Sequence, residues 1–170
     1  MVVRFEFSGK VRTPQDLGHI RVSPEEAIRL VCSLQRFGFW RTELDTGHVF
    51  WSRDIFEIYG MDFTAGPINL SAANASVHPD DLPYMLELFE RAAREKSGFH
   101  YILRLKDGGD RYKYVRAVGH FRITPDGREE LHGVFEQFHD QVPTIGMVDR
   151  SEHTAGVATR VAAARPPEPA

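Results

Sequence analysis

Hydrophobic positions change period several times along this chain, and each change marks an element. Residues 1–12 alternate loosely, with Val3, Phe5 and Phe7 on one side and Arg4 and Glu6 on the other, which predicts a short strand or extended arm. The period turns helical after Ser23. Ser23 can cap, Pro24 suits the first helical position and Glu26 completes a capping box, so a helix is predicted over residues 24–37. Ala27, Leu30, Val31 and Leu34 fall at helical spacing, and Ile28 and Cys32 widen the stripe beyond what one contact surface needs.

Alternation takes over past residue 38. Phe39 to Leu44 and His48 to Ser52 read as paired strands around Asp45-Thr46-Gly47, where Gly47 can take the positive φ of a three-residue hairpin loop. A short helix from Arg53 to Tyr59 stops at Gly60, and residues 61–77, with Gly66-Pro67 and small polar side chains, read as turns. Val77-His78-Pro79-Asp80-Asp81 introduces the main helix. Leu82, Met85, Phe89 and Ala92 form its buried stripe, Glu87–Arg91 and Glu90–Arg94 pair on the wet side, and Gly98 is placed just past its end. Three strands follow, Phe99 to Leu105, Tyr112 to Ile123 and Glu129 to Phe138, joined by Asp107-Gly108-Gly109-Asp110 and Thr124-Pro125-Asp126-Gly127. Two hairpin-linked groups of strands separated by helices predict an α+β fold: a five-stranded antiparallel sheet with helices on one face and an N-terminal flanking helix.

Composition narrows the function classes. Lys and Arg number 21 against 24 Asp and Glu, a formal charge of −3 that argues against a dedicated nucleic-acid partner. The single cysteine, Cys32, excludes an internal disulfide and a multi-thiolate zinc site. No apolar run is long enough to span a bilayer and the start lacks the pattern of a secretory signal, so the cytoplasm is the expected compartment. Arg165-Pro166-Pro167-Glu168-Pro169-Ala170 reads as a flexible tail by composition.

Several local signatures resemble PAS domains, closest to the subfamily common in bacterial sensor histidine kinases. Gly38-Phe39-Trp40 with Leu44 through Ser52 resembles that family's first hairpin, and Ile55-Phe56-Glu57-Ile58-Tyr59-Gly60 its first core helix. His78-Pro79-Asp80-Asp81 matches the motif that introduces its long helix. Leu103-Arg104-Leu105 before Asp107-Gly108, then Tyr112-Lys113-Tyr114-Val115, resembles its middle hairpin, and Gly133 stands in the last strand as the family usually has it. The likeness covers residues 38–140. It divides the chain into an arm and flanking, dimerising helix (1–37), a PAS domain (38–140) and a C-terminal tail (141–170). One departure stands out: the Asp-Ile-Thr that precedes an effector in relatives is replaced by Gln137-Phe138-His139. The resemblance, with about thirty residues left beyond that point, implies a stand-alone module whose output goes through another chain.

Candidate chemistry is sparse. The His78 and Asp80-Asp81 grouping reads as helix capping rather than acid–base catalysis. His100, His120 and His132 lie on three successive predicted strands, but the parities of His100 and His120 argue against clustering. Haem-binding relatives take an axial His from the long helix, and residues 82–96 hold none; covalent flavin needs an Asn-Cys-Arg motif that Cys32 does not supply. No cofactor, no metal and no catalysis are therefore expected. A small ligand stays open, in a pocket between sheet and long helix lined by Trp40, Phe56, Tyr59, Phe89, Ala117 and Gly119. The functional expectation is a PAS signalling module acting by protein–protein interaction in a two-component pathway, with a histidine kinase or other signalling protein as partner. Homodimer formation is expected through Ala27, Ile28, Val31, Leu34, Tyr112 and Tyr114, and small-ligand sensing is the alternative.

Overall fold

A computed structural model of the chain describes residues 15–138. In chain order it holds α1 (Pro24–Leu34), β1 (Phe37–Glu43), β2 (Val49–Trp51), α2 (Arg53–Tyr59), α3 (Leu70–Ser76), α4 (Leu82–Glu95), β3 (Phe99–Lys106), β4 (Tyr112–Ile123) and β5 (Glu129–Phe138). The strands form one antiparallel sheet in the order β2-β1-β5-β4-β3, so the first and last strands meet at its centre. The predicted arm at residues 1–12, His139 and the tail at 141–170 lie outside the described residues.

Local chemistry explains most boundaries. Ser23 accepts the Glu26 amide at 3.1 Å while the Glu26 carboxylate accepts the Ser23 amide at 2.8 Å, closing the capping box of α1. Gly47 and Gly60 take positive φ, 69° and 66°, one in the first hairpin loop and one ending α2. Alternation places Phe99, Leu103, Leu105, Val115, Ala117, Leu131 and Phe135 inward, against Ile55, Ile58, Met85 and Ala92 of the helices. Ile55, Phe56, Ile58, Leu105, Leu131 and Val115 are essentially withdrawn from water, each gaining about 1.5–3 kcal/mol by burial.

The structure corrects several expectations. α1 ends at Leu34 rather than at residue 37, because Phe37 already pairs with Glu136 as the first rung of β1. Residues 70–76, read as part of a turn region, form α3: Asn69 caps it by accepting the Ala72 amide at 3.1 Å, and Ala73 is its buried contact. The left-handed residue closing α4 is Lys96 (φ 50°), not Gly98. Gly98 is small for another reason, since a Cβ there would press on the Gly119 carbonyl at 3.0 Å. On the wet side of α4, Arg91 and Arg94 both reach Glu95.

Candidate functional site

The inner face of the sheet carries the predicted pocket position. In register across all five strands run Trp51, Trp40, Gly133, Gly119 and Phe99. The two glycines leave a trough in the middle of that row, and the Trp40 indole lies along it. Its Nε1 donates to the Val134 carbonyl at 3.2 Å. Its ring stacks on Phe99 (centroids 5.6 Å apart, 30° between planes) and meets Phe89 of α4 at 5.7 Å. A Cβ on Gly119 would run into the Phe99 ring and come within 2.9 Å of Trp40 Cη2. A Cβ on Gly133 would overlap the Val118 carbonyl.

One rung along, Tyr101, Ala117 and Phe135 share a row, and the Tyr59 ring lies 5.4 Å from Phe135. Burial pushes the Tyr59 phenol far above its usual range, and burial followed by the neighbouring Tyr59 does the same for Tyr101. Both stay neutral hydroxyls at any physiological pH. Of the six residues expected to line a pocket, Trp40, Tyr59, Phe89, Ala117 and Gly119 gather in the main core or at its margin. Phe56 sits in a separate cluster with Ile68 and Ala73, linked to the rest through Trp51. Phe99 and Tyr101 belong with the first group. Their inward parity was readable in the sequence, but the cross-strand register that brings them over Gly119 and Ala117 was not.

The outer face of the sheet is of another character. Three glutamates are buried there, Glu43, Glu130 and Glu136. Glu130 takes Arg122 at 2.7 Å and Arg41 at 3.2 Å; Glu136 takes Arg116 and the Gln35 side-chain amide from the end of α1. Glu43, beside them, is held below the usual carboxylate range by hydrogen bonds from Arg41 and Thr46. Between these ion pairs lies the row Phe39, Val134, Val118 and His100, and next to it Arg41, His132 and His120. The cross-strand register thus sets His100 and His120 on one face, against the parity argument that separated them. Burial, then Arg116, lowers the His100 pKa; burial, then Arg122 and His120, lowers that of His132. Among the described residues no group of three His, Cys, Asp or Glu side chains is placed to hold a metal ion. A cavity of about 300 Å³ opens on this face between Gln35, Phe37, His100, Arg116 and Glu136.

The expected interface residues split between two places. On α1, Ile28 and Val31 stand 48% and 43% exposed, joined by Leu30 at 59%, while Ala27 is half-buried; the side chain of Leu34 is outside the described residues. The Cys32 thiol points back at the Phe37 carbonyl, 3.9 Å away, and burial raises its pKa. Tyr112 and Tyr114 are exposed near the start of β4. Tyr114 faces Phe138, one rung from the Arg116–Glu136 pair that Gln35 contacts, so the end of α1 and Tyr114 border the same end of the outer face. Tyr112 stands further out, with the His78 ring 4.6 Å away.

Asp81 departs from its expected role. It occupies the cap position of α4 but makes no side-chain capping bond. Its carboxylate instead accepts the Arg104 amide at 2.9 Å and grips the Arg104 guanidinium at 2.6 and 3.0 Å. Those bonds, the side-chain ones foremost, draw its pKa below the usual range. The His78 Nδ1 accepts the Asp80 amide at 3.1 Å, a bond that closes the turn ahead of the helix. The motif therefore ties the start of α4 to the edge strand β3.

Comparison with curated proteins gave no match. Among solved structures, an RNA-binding light-oxygen-voltage receptor is 14% identical with a TM-score of 0.55, over 65% of this chain and 32% of the receptor. The chain thus spans about a third of that receptor's length. The N-terminal domain of a diguanylate cyclase with a PAS/PAC sensor from Marinobacter aquaeolei is 15% identical, with a TM-score of 0.50, over 59% of this chain and 94% of that one. A sensory box histidine kinase/response regulator from Burkholderia thailandensis is 16% identical, with a TM-score of 0.51, over 66% and 84%. These likenesses show the fold. A family model described as the PAS fold matches residues 48–135, just over half of the sequence, and takes in the His78-Pro79-Asp80-Asp81 motif, the middle hairpin and Gly133. The chain belongs to the PAS fold family.

Proposed function

We propose that this chain is a signalling module that works by protein–protein contact, without catalysis or a bound cofactor of its own. In this reading it acts in the cytoplasm as a homodimer and regulates a histidine kinase or a similar two-component partner. The observation that carries it is the surface. Ile28, Leu30 and Val31 of α1 stand exposed, and so do Phe39, Ile102, Tyr114 and Phe138 on the outer sheet face. Water contact at so many large side chains on two neighbouring elements favours a surface that another chain covers. The ion pairs of Glu130 and Glu136 lie within the same face and give it polar register marks that a two-fold partner can complement.

Packing supports this over a small-ligand sensor, because rings of Phe99 and Trp40 occupy the room left by Gly119. The histidine-kinase link is supported by the sensory box kinase among the structural neighbours and by the motif likeness. Sedimentation of the wild type and of Val31→Glu tests the dimer. The wild type is expected to run as a dimer at micromolar concentration and the variant as a folded monomer, since a charge placed in that patch disfavours its burial. A monomeric wild type would overturn the homodimer.

A further inference from the structure

On the outer face of the sheet the arginines and glutamates balance, and the histidines stand outside that balance. Arg41, Arg116 and Arg122 face the buried Glu43, Glu130 and Glu136. Each carboxylate is already engaged. Glu130 holds Arg122 at 2.7 Å and Arg41 at 3.2 Å, and Glu43 holds Arg41 at 2.7 Å and the Thr46 hydroxyl at 2.9 Å. Glu136 holds Arg116 and the Gln35 side-chain amide. We propose that acid releases the dimer surface, with His100 and His132 as the groups that take up the protons. This rests on the homodimer proposed above and adds its regulation.

Placement makes these two rings the sensitive ones. His132 stands between Arg41 of β1 and His120 of β4 in the strand register, with Arg122 and Glu130 in the next row of the same face. His100 shares the cavity under the end of α1 with Gln35, Arg116 and Glu136. A proton on either ring therefore sets a cation beside an arginine, while the nearest carboxylates are spent on guanidiniums. Burial and then Arg116 act on His100; burial, then Arg122 and His120, act on His132. Both rings thus stay neutral where an exposed histidine has begun to charge. At neutral pH the face is balanced and can be covered. Below about pH 6.5 each copy gains up to two positive charges, and a two-fold contact brings both sets together. A covering chain strips water from those charges, so the protonated form favours the monomer. The dimer then binds fewer protons than two monomers, and its dissociation constant rises as pH falls.

The test is sedimentation of the full-length chain at about pH 7.5 and about pH 5.5, with circular dichroism at both. The wild-type dissociation constant should rise at least about ten-fold at the lower pH with the native spectrum kept, since one pKa unit between monomer and dimer is a factor of ten. The double variant His100→Gln/His132→Gln should hold its constant within about two-fold over the same range. A wild-type dimer of equal affinity at both pH values overturns the acid release and leaves the homodimer standing. A monomer at both overturns the two together. A double variant as acid-sensitive as the wild type overturns the assignment to these histidines. Loss of the native spectrum at the lower pH also overturns it, because the release is then unfolding. Should the double variant fail to pair at neutral pH, the single variants decide: a smaller acid shift in each supports the proposal, and an undiminished shift in either overturns it.

Discussion

Two glycines on one rung of the sheet illustrate how differently a single methyl group can act. At Gly133 the added Cβ meets the Val118 carbonyl, which is backbone in a central strand and has nowhere to go. Gly133→Ala should therefore cost at least about 3 kcal/mol and yield little folded protein. At Gly119 the neighbours are the side chains of Phe99 and Trp40, which can turn. Gly119→Ala should be the milder change, about 1–3 kcal/mol, and equal denaturation midpoints for the two variants would refute this ordering. Asp81 makes a second case. Its folded pKa is depressed, chiefly by the Arg104 hydrogen bonds, so its contribution is complete above the unfolded carboxyl value of about 3.9 and is lost as pH falls through the folded value. Asp81→Asn should then destabilise at neutral pH, and its gap from the wild type should narrow by about pH 3. Urea midpoints at the two pH values check it; a constant gap excludes the ion pair as the cause.

Elements were legible where their signals are local. The capping box at Ser23, the αL glycine at Gly60 and the alternation of Phe99, Leu103 and Leu105 each act within a few residues, and the boundary each signal marks stands where the sequence places it: the start of α1, the end of α2 and the start of β3. Sequence reasoning failed where the deciding contact is distant. α3 has one buried side chain, Ala73, so no apolar stripe announces it; it stands on the Asn69 cap and on Phe56 and Ile68 beneath it. Asp81 was readable as a cap but not as the partner of Arg104, twenty-three positions on. The aromatic and small residues of the inner sheet face were legible as a set, though not how they pack. That Trp40 would lie across Gly133 and Gly119 depended on the pairing of β1 with β5, which no local pattern encodes. For α1, the capping box is its main internal support, because it packs on little besides β1. Ser23→Ala should lower its stability by about 1 kcal/mol. Amide exchange across residues 24–34 should quicken while exchange in the sheet stays unchanged; a matching loss in the sheet would show α1 to be part of the cooperative core.

At the scale of the described residues, the sheet presents two unlike faces, one filled by rings and one laid out with charges and histidines. Acid should act on the second. His100 and His132 have folded pKa values below the unfolded value of about 6.5, so their share of stability is present above it and drains as pH falls toward the folded values. Melting temperature is expected to drop between about pH 7.5 and about pH 5, and the proposed dimer should loosen over the same range as positive charge gathers beside Arg116 and Arg122. His132→Gln should flatten the thermal curve; an unchanged slope would place the effect elsewhere. Strand order has a mechanical consequence as well. Seven rungs join β1 to β5, and the pair begins with Phe37 opposite Glu136, at the end where the segment before β1 and the close of β5 lie side by side. Tension drawn apart through those two neighbours opens the rungs singly, like a zip, whereas a pull along the strands would have to shear all of them together. The central pair, flanked by β2 on one side and β4 on the other, is thus the one that tension at its open end loads a rung at a time.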